Sequence, residues 1–119
     1  DFVEKRISEI ATLTAAAQGA RADVYYERGY PVTVNAEDNT HYAAQVAQDV
    51  SGHVDTNTPP LMGAEDFSYL LNERPGAYIF VGNGDTAMVH HPAYNFDDNA
   101  IPFGASWYAG MVEARMPSA

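Results

Sequence analysis

The chain has 119 residues, 46% of them hydrophobic and 12% aromatic, with sixteen acidic side chains, six basic ones and no cysteine. A formal charge of -10 repels phosphate backbones and anionic lipid head groups, so no nucleic acid and no membrane surface is expected among its partners. The lack of cysteine removes disulfides, thiolate metal sites and cysteine nucleophiles, while a globular composition at this length predicts a folded unit that buries roughly two-thirds of its unfolded surface.

Apolar residues Phe2, Val3, Ile7, Ile10, Ala11, Thr14 and Ala17 recur at three- and four-residue steps, and Gly19 follows where a helix needs a left-handed end. The spacing predicts a helix over 2–18. From Ala20 the period changes to two, with Ala22, Val24 and Tyr26 on one side and Arg21, Asp23, Tyr25 and Glu27 on the other, which predicts a strand ended by Arg28-Gly29-Tyr30-Pro31. Pro31 to Asn35 is an extended connector and marks a boundary between two units, residues 1–33 and 34–119.

Asn35 or Asn39 is a candidate cap for a helix running to Val50, with Tyr42, Ala43, Val46, Ala47 and Val50 as its buried stripe and Ser51-Gly52 as its stop. After the turn chemistry of Thr56-Asn57-Thr58-Pro59-Pro60, the stretch Ala64 to Leu71 has helical spacing at Phe67, Leu70 and Leu71. Ala77-Tyr78-Ile79-Phe80-Val81 is an apolar run of strand length, consistent with a strand buried on both faces. It is followed by the turn Gly82-Asn83-Gly84-Asp85, a loop through His90 and His91, and a last helix over 101–116 with Pro102 in its first turn. The order helix, strand, helix, helix, strand, helix is that of an α/β protein.

No apolar run reaches the roughly 18 residues that a membrane-spanning helix requires, and the charged opening Asp1-Phe2-Val3-Glu4-Lys5-Arg6 does not have the pattern of a secretory signal. A cytoplasmic location is the expectation. A first residue other than methionine points to processing, cleavage or origin inside a longer polypeptide.

Four histidines are available, and two of them, His90 and His91, sit side by side after the most apolar predicted strand. Loops at the carboxyl ends of strands are where open α/β sheets place their sites, and a neutral imidazole is both a metal ligand and a base near neutral pH. The alternative is that one of the pair caps or packs. Neighbouring side chains in extended backbone point to opposite sides, so at most one of the two would ligate a given ion. His41, in a predicted helix, and His53, in a turn, read as surface residues. Glu65 and Asp66 either orient a donor at a loop-to-helix junction or cap the helix start, Gly63 permits close backbone approach, and Asp97 and Asp98 are metal carboxylates or caps of the last helix. No serine lies in a nucleophile-elbow pattern, and Gly82-Asn83-Gly84 lacks a phosphate-binding spacing.

Met62-Gly63-Ala64-Glu65-Asp66-Phe67-Ser68, Pro75-Gly76-Ala77-Tyr78, Val81-Gly82, Val89-His90-His91-Pro92-Ala93-Tyr94-Asn95-Phe96-Asp97-Asp98 and Ala100-Ile101-Pro102-Phe103-Gly104-Ala105 occur in this order. Together they closely resemble the C-terminal region of the peptidase M20 amidohydrolases, which include hippurate hydrolases and N-acyl-amino-acid or auxin-conjugate hydrolases. The resemblance extends over essentially the whole chain, with the first helix and strand resembling the exit from the family's lid domain. It implies a two-domain enzyme, in which residues 1–33 end a lid that commonly mediates homodimer formation and residues 34–119 are the C-terminal part of a zinc-peptidase-like catalytic domain. It also implies hydrolysis of the amide of a small N-acyl amino acid, with two divalent metal ions, zinc or manganese, activating water and a glutamate as base. On the same resemblance His90 is the metal ligand, Met62 and Gly63 border the substrate, and His91 falls at a variable position.

The family's His-x-Cys-Gly-His-Asp element, its Glu-Glu pair and its intermediate histidine are expected ahead of Asp1, and a catalytic zinc needs about three protein ligands. The isolated chain is therefore expected to be inactive and to need the missing N-terminal part of the same protein. A non-catalytic binding or oligomerisation domain derived from the same fold is the alternative.

Overall fold

The computed structural model describes residues 1–116, so positions 117–119 of the expected second unit lie outside the described residues. Helix α1, Phe2–Ala17, is stitched along its surface by Lys5 and Arg6 against Glu9 and by the Thr12 hydroxyl donating to the Ser8 carbonyl at 2.7 Å. It closes where the Ala20 amide reaches back to the Ala15 carbonyl at 2.9 Å, a reversal that Gly19 permits at φ 70°. No α1 residue is buried. The following segment runs back along α1, where Arg28 donates to the carboxylates of Asp1 and Glu4.

Helix α2, Glu37–Ser51, begins with Glu37 and Asp38 beside its positive end and stops at Gly52, whose φ of 72° is left-handed. The expected asparagine cap is not made: Ala36 occupies the cap position with no side-chain cap bond. Asn35 is spent elsewhere, since its Nδ2 donates to the Tyr78 carbonyl at 2.9 Å and its Oδ1 accepts the Tyr78 amide at 2.8 Å. The Ala36 amide also donates to the Gly76 carbonyl at 2.9 Å. These bonds lay residues 77–81 beside α2.

Helix α3, Phe67–Glu73, is a short element behind Asp66, and α4, Ala100–Arg115, carries Pro102 in its first turn as expected. Among the described residues, α2 and α4 are the two helices that pack together. Their contact buries Ala43, Val46 and Trp107, flanked by Tyr42, Ala47, Val50, Met111, Ala77 and Ile79. Small residues set the approach: a Cβ on Gly110 would lie 2.9 Å from Val46 Cγ1. Two long-range bonds fix the register, from the Trp107 indole to the Ala43 carbonyl at 3.0 Å and from the Tyr42 hydroxyl to the Met111 carbonyl at 3.1 Å. The Arg115 guanidinium lies 4.4 Å over the Tyr42 ring.

The α/β expectation is overturned. The four helices come within three residues of the spans that the spacing predicts, α3 starting three residues later than expected, but the described residues contain no strand. A strand exists only as one side of a ladder, and among the described residues neither 20–27 nor 77–81 makes ladder hydrogen bonds to a second backbone. The 77–81 run alternates as an extended segment must, with Ala77 and Ile79 against the α2–α4 core. Its other side, expected to be buried, carries Tyr78 against Phe67 and Phe80, with Phe80 exposed, and on the core side Val81 is exposed as well.

The predicted depth of the core is overturned as well. The radius of gyration is 20.7 Å, with extents of 70 × 36 × 22 Å, where a compact chain of this length would have about 13.5 Å. The accessible surface is 9922 Å² against roughly 6,300 Å² for a folded monomer of this mass.

Candidate functional site

The His90 loop is built upward from its neck. Gly82-Asn83-Gly84 turns the chain, with Gly84 at φ 76° and the Thr86 amide donating to the Gly84 carbonyl at 3.2 Å. Asn83, half-buried, reaches across: its Nδ2 donates to the Asn95 carbonyl and its Oδ1 accepts the Asp97 amide, each at 2.8 Å. The Thr86 hydroxyl accepts the Asn95 amide at 3.0 Å. Beyond the neck, Asp97 Oδ1 accepts the Asn99 amide at 3.0 Å, and the Asp97 carbonyl accepts the Ala100 amide at 2.9 Å as α4 begins. Asp97 therefore organises the turn into α4, and the cap position belongs to Asn99 with no side-chain cap bond.

Inside the loop, the His91 amide donates to the Met88 carbonyl at 3.1 Å and the Tyr94 amide to the His91 carbonyl at 2.9 Å. The two histidines then differ. His91 Nδ1 accepts the Ala93 amide at 3.0 Å, which ties its ring to its own turn. His90 is exposed at the loop's tip with no ring partner of that kind among the described residues, and it is the one non-glycine residue described with a positive φ, 67°. His, Asn and Asp enter that left-handed region more readily than other side chains. The expected argument for separating the two rings, alternation in extended backbone, does not apply to a left-handed residue, although the rings are still put to different use.

A shallow groove beside the loop is lined by Val81, Asn83, Tyr94, Phe96, Ile101 and Gly104. Met62 and Gly63 lie apart from that lining, in the irregular stretch ahead of α3, both exposed, with open space around Gly63. In the same motif, Ser68 is fully buried and donates its hydroxyl to the Glu65 carbonyl at 2.6 Å, so Ser68 fastens the start of α3. Neither Glu65 nor Asp66 makes a side-chain cap there. Burial, reinforced by the Glu65 carboxylate and then Asp66, holds the Tyr78 phenol above its ordinary pKa and so protonated at neutral pH. His41 and His53 are exposed on and just after α2, as expected of surface histidines.

Among the described residues no three histidine, aspartate or glutamate side chains come together to hold an ion. His90 offers one imidazole, where a catalytic zinc needs about three protein ligands. Asn83, Thr86 and Ser68 carry structural duties that sequence patterning did not single out; an asparagine set between two glycines at a turn was the available signal for the first.

The family model described as Peptidase family M20/M25/M40 matches residues 4–114, and the chain belongs to that family. It is 31% identical over 116 residues to an N-acetyldiaminopimelate deacetylase of Pediococcus pentosaceus, covering 97% of this chain and 30% of that protein. It is 30% identical over 113 residues to a hippurate hydrolase of Campylobacter jejuni, covering 93% and 30%, and 30% identical over 122 residues to an IAA-amino acid hydrolase ILR1-like 6 of Arabidopsis thaliana, covering 94% and 26%. The chain thus spans less than a third of the length of these curated relatives. No solved structure matches it.

Proposed function

We propose that the chain is the C-terminal part of a metal-dependent amidohydrolase that cleaves the amide bond of small N-acyl amino acids, hippurate-like compounds among them. The observation that carries this is the division of labour at the loop tip, where His91 is tied to the Ala93 amide and His90 is exposed with its ring open to an outside partner. In this assignment His90 supplies one imidazole to a pair of zinc or manganese ions whose other ligands lie outside these 119 residues. When bound, such ions polarise the scissile carbonyl and make a water nucleophilic. The chain's own contribution is to present the ring and, through Met62 and Gly63, to border the substrate. The names of the relatives, a deacetylase and two hydrolases of acylated amino acids, support that substrate class.

Residues 1–33 are assigned to the end of a lid through which the whole protein forms a homodimer, and 34–119 to the catalytic part. The exposed apolar residues Val3, Ile7 and Ile10 on α1 support a contact there. The acidic balance of the chain favours neither nucleic acid nor a membrane surface as a partner, and no described helix is long and apolar enough to cross a membrane. A cytoplasmic location is part of the same assignment.

The test is made on the intact polypeptide. His90→Ala is expected to lower bound zinc or manganese and to cut hydrolysis of hippurate by at least 10²-fold, while His91→Ala retains both. The 119-residue chain alone is expected to show no hydrolysis and only weak zinc binding. Full metal content and full activity in His90→Ala would refute the assignment.

A further inference from the structure

We propose that Asn83 is a positioning residue whose side-chain amide clamps the neck of the 84–96 loop and so holds His90, at the loop's midpoint, in its left-handed conformation. Closing a loop costs conformational entropy, and a closed loop persists only if its neck is bonded. Here no backbone pair closes it. The Asn83 amide substitutes for one, donating to Asn95 and accepting from Asp97 on the returning segment, with the Thr86 hydroxyl taking the intervening Asn95 amide.

The chemistry selects asparagine. One short side chain must present a donor and an acceptor at once, which an ionised aspartate cannot do, because its second oxygen would face the Asn95 carbonyl. His90 stands seven residues from Asn83 and seven from Asp97, so the neck governs the tip from both sides. A histidine at φ 67° is disfavoured by its own Cβ and stays there only where the surroundings hold it. Ring use by a metal rests on the function proposed above; the clamp does not.

Hydrogen exchange read by mass spectrometry on the intact polypeptide tests the clamp. In Asn83→Ala, exchange in peptides covering 84–97 is expected to accelerate about tenfold or more, with peptides covering 76–79 unchanged. Asn35→Ala should give the reverse pattern, since Asn35 holds the Tyr78 amide. Asn83→Asp, which keeps the acceptor for Asp97 and loses the donor, is expected to fall between wild type and Asn83→Ala. The 13C shifts of His90 Cα and Cβ, which follow backbone dihedrals, should leave left-handed values in Asn83→Ala at an unchanged melting temperature. If Asn83→Ala does not fold, Asn83→Asp and Thr86→Val report on the same amides. Wild-type exchange across 84–97 in the folded variants, or unmoved His90 shifts, would overturn the clamp. Zinc titration of the wild type separates the two claims: absence of a His90-dependent site would remove the metal-ligand assignment and leave the clamp to the exchange data.

Discussion

His90 has a backbone conformation that taxes most side chains, since a β-carbon in the left-handed region crowds the following carbonyl by roughly 1–2 kcal/mol. Asparagine tolerates that region and a β-branched residue does not. Urea unfolding should therefore leave His90→Asn within about 0.5 kcal/mol of wild type and cost His90→Val about 1–2 kcal/mol more; equal midpoints for the two would place the strain elsewhere. At this scale the sequence was informative about chemistry and silent about geometry. A His-His pair ahead of a proline announced a candidate ligand, but whether His90 or His91 is spent locally depends on the Ala93 amide finding His91 Nδ1, a contact two residues away that no pattern encodes. Asn83 was hidden because Gly-Asn-Gly reads as a turn, and its partners lie 12 and 14 residues downstream.

Two glycines on α4 give opposite expectations from one argument. Gly104 faces open space, so Gly104→Ala should stabilise by roughly 0.5–1 kcal/mol through helix propensity. Gly110 meets Val46, a buried methyl with no flexible end to swing aside, and Gly110→Ala should destabilise by about 1–3 kcal/mol despite the same propensity gain. Calorimetric melting of the pair checks both signs, and a stabilised Gly110→Ala would mean that the α2–α4 contact is looser than described. All four helices were legible because a helix satisfies its own backbone and writes its period into consecutive residues. The two expected strands do not form, for the complementary reason. Alternation at 22–26 and an apolar run at 77–81 specify faces, yet pairing depends on a neighbour that local sequence cannot supply. The Asn35 amide at Tyr78 shows how little of a ladder 77–81 has, one side chain standing in for a row of peptides.

At the scale of the whole molecule, composition predicted a core that the fold does not build. A hydrophobic content of 46% reports how much surface seeks cover, not whether cover lies within the same 119 residues. Phe2, Leu13, Tyr25, Val32, Met62 and Met88 are each more than half exposed, and the total accessible surface of 9922 Å² is well above that of a folded monomer of this mass. The isolated chain is expected to bind a hydrophobic dye strongly and to sediment as concentration-dependent oligomers. A scattering radius near 13.5 Å with no dye binding would contradict the open arrangement.

The bond from Arg28 to Asp1 and Glu4 has a further consequence. All three side chains stand in solvent, so their attraction fades as salt shortens its reach to about 3 Å near 1 M. Brine should let α1 swing away from the returning 20–28 segment about the reversal at Gly19, while the neutral amide joint at Asn35 and the tryptophan-centred helix pair stay shut. Ionic strength would then work as a selective hinge release confined to the first helix and its returning strap.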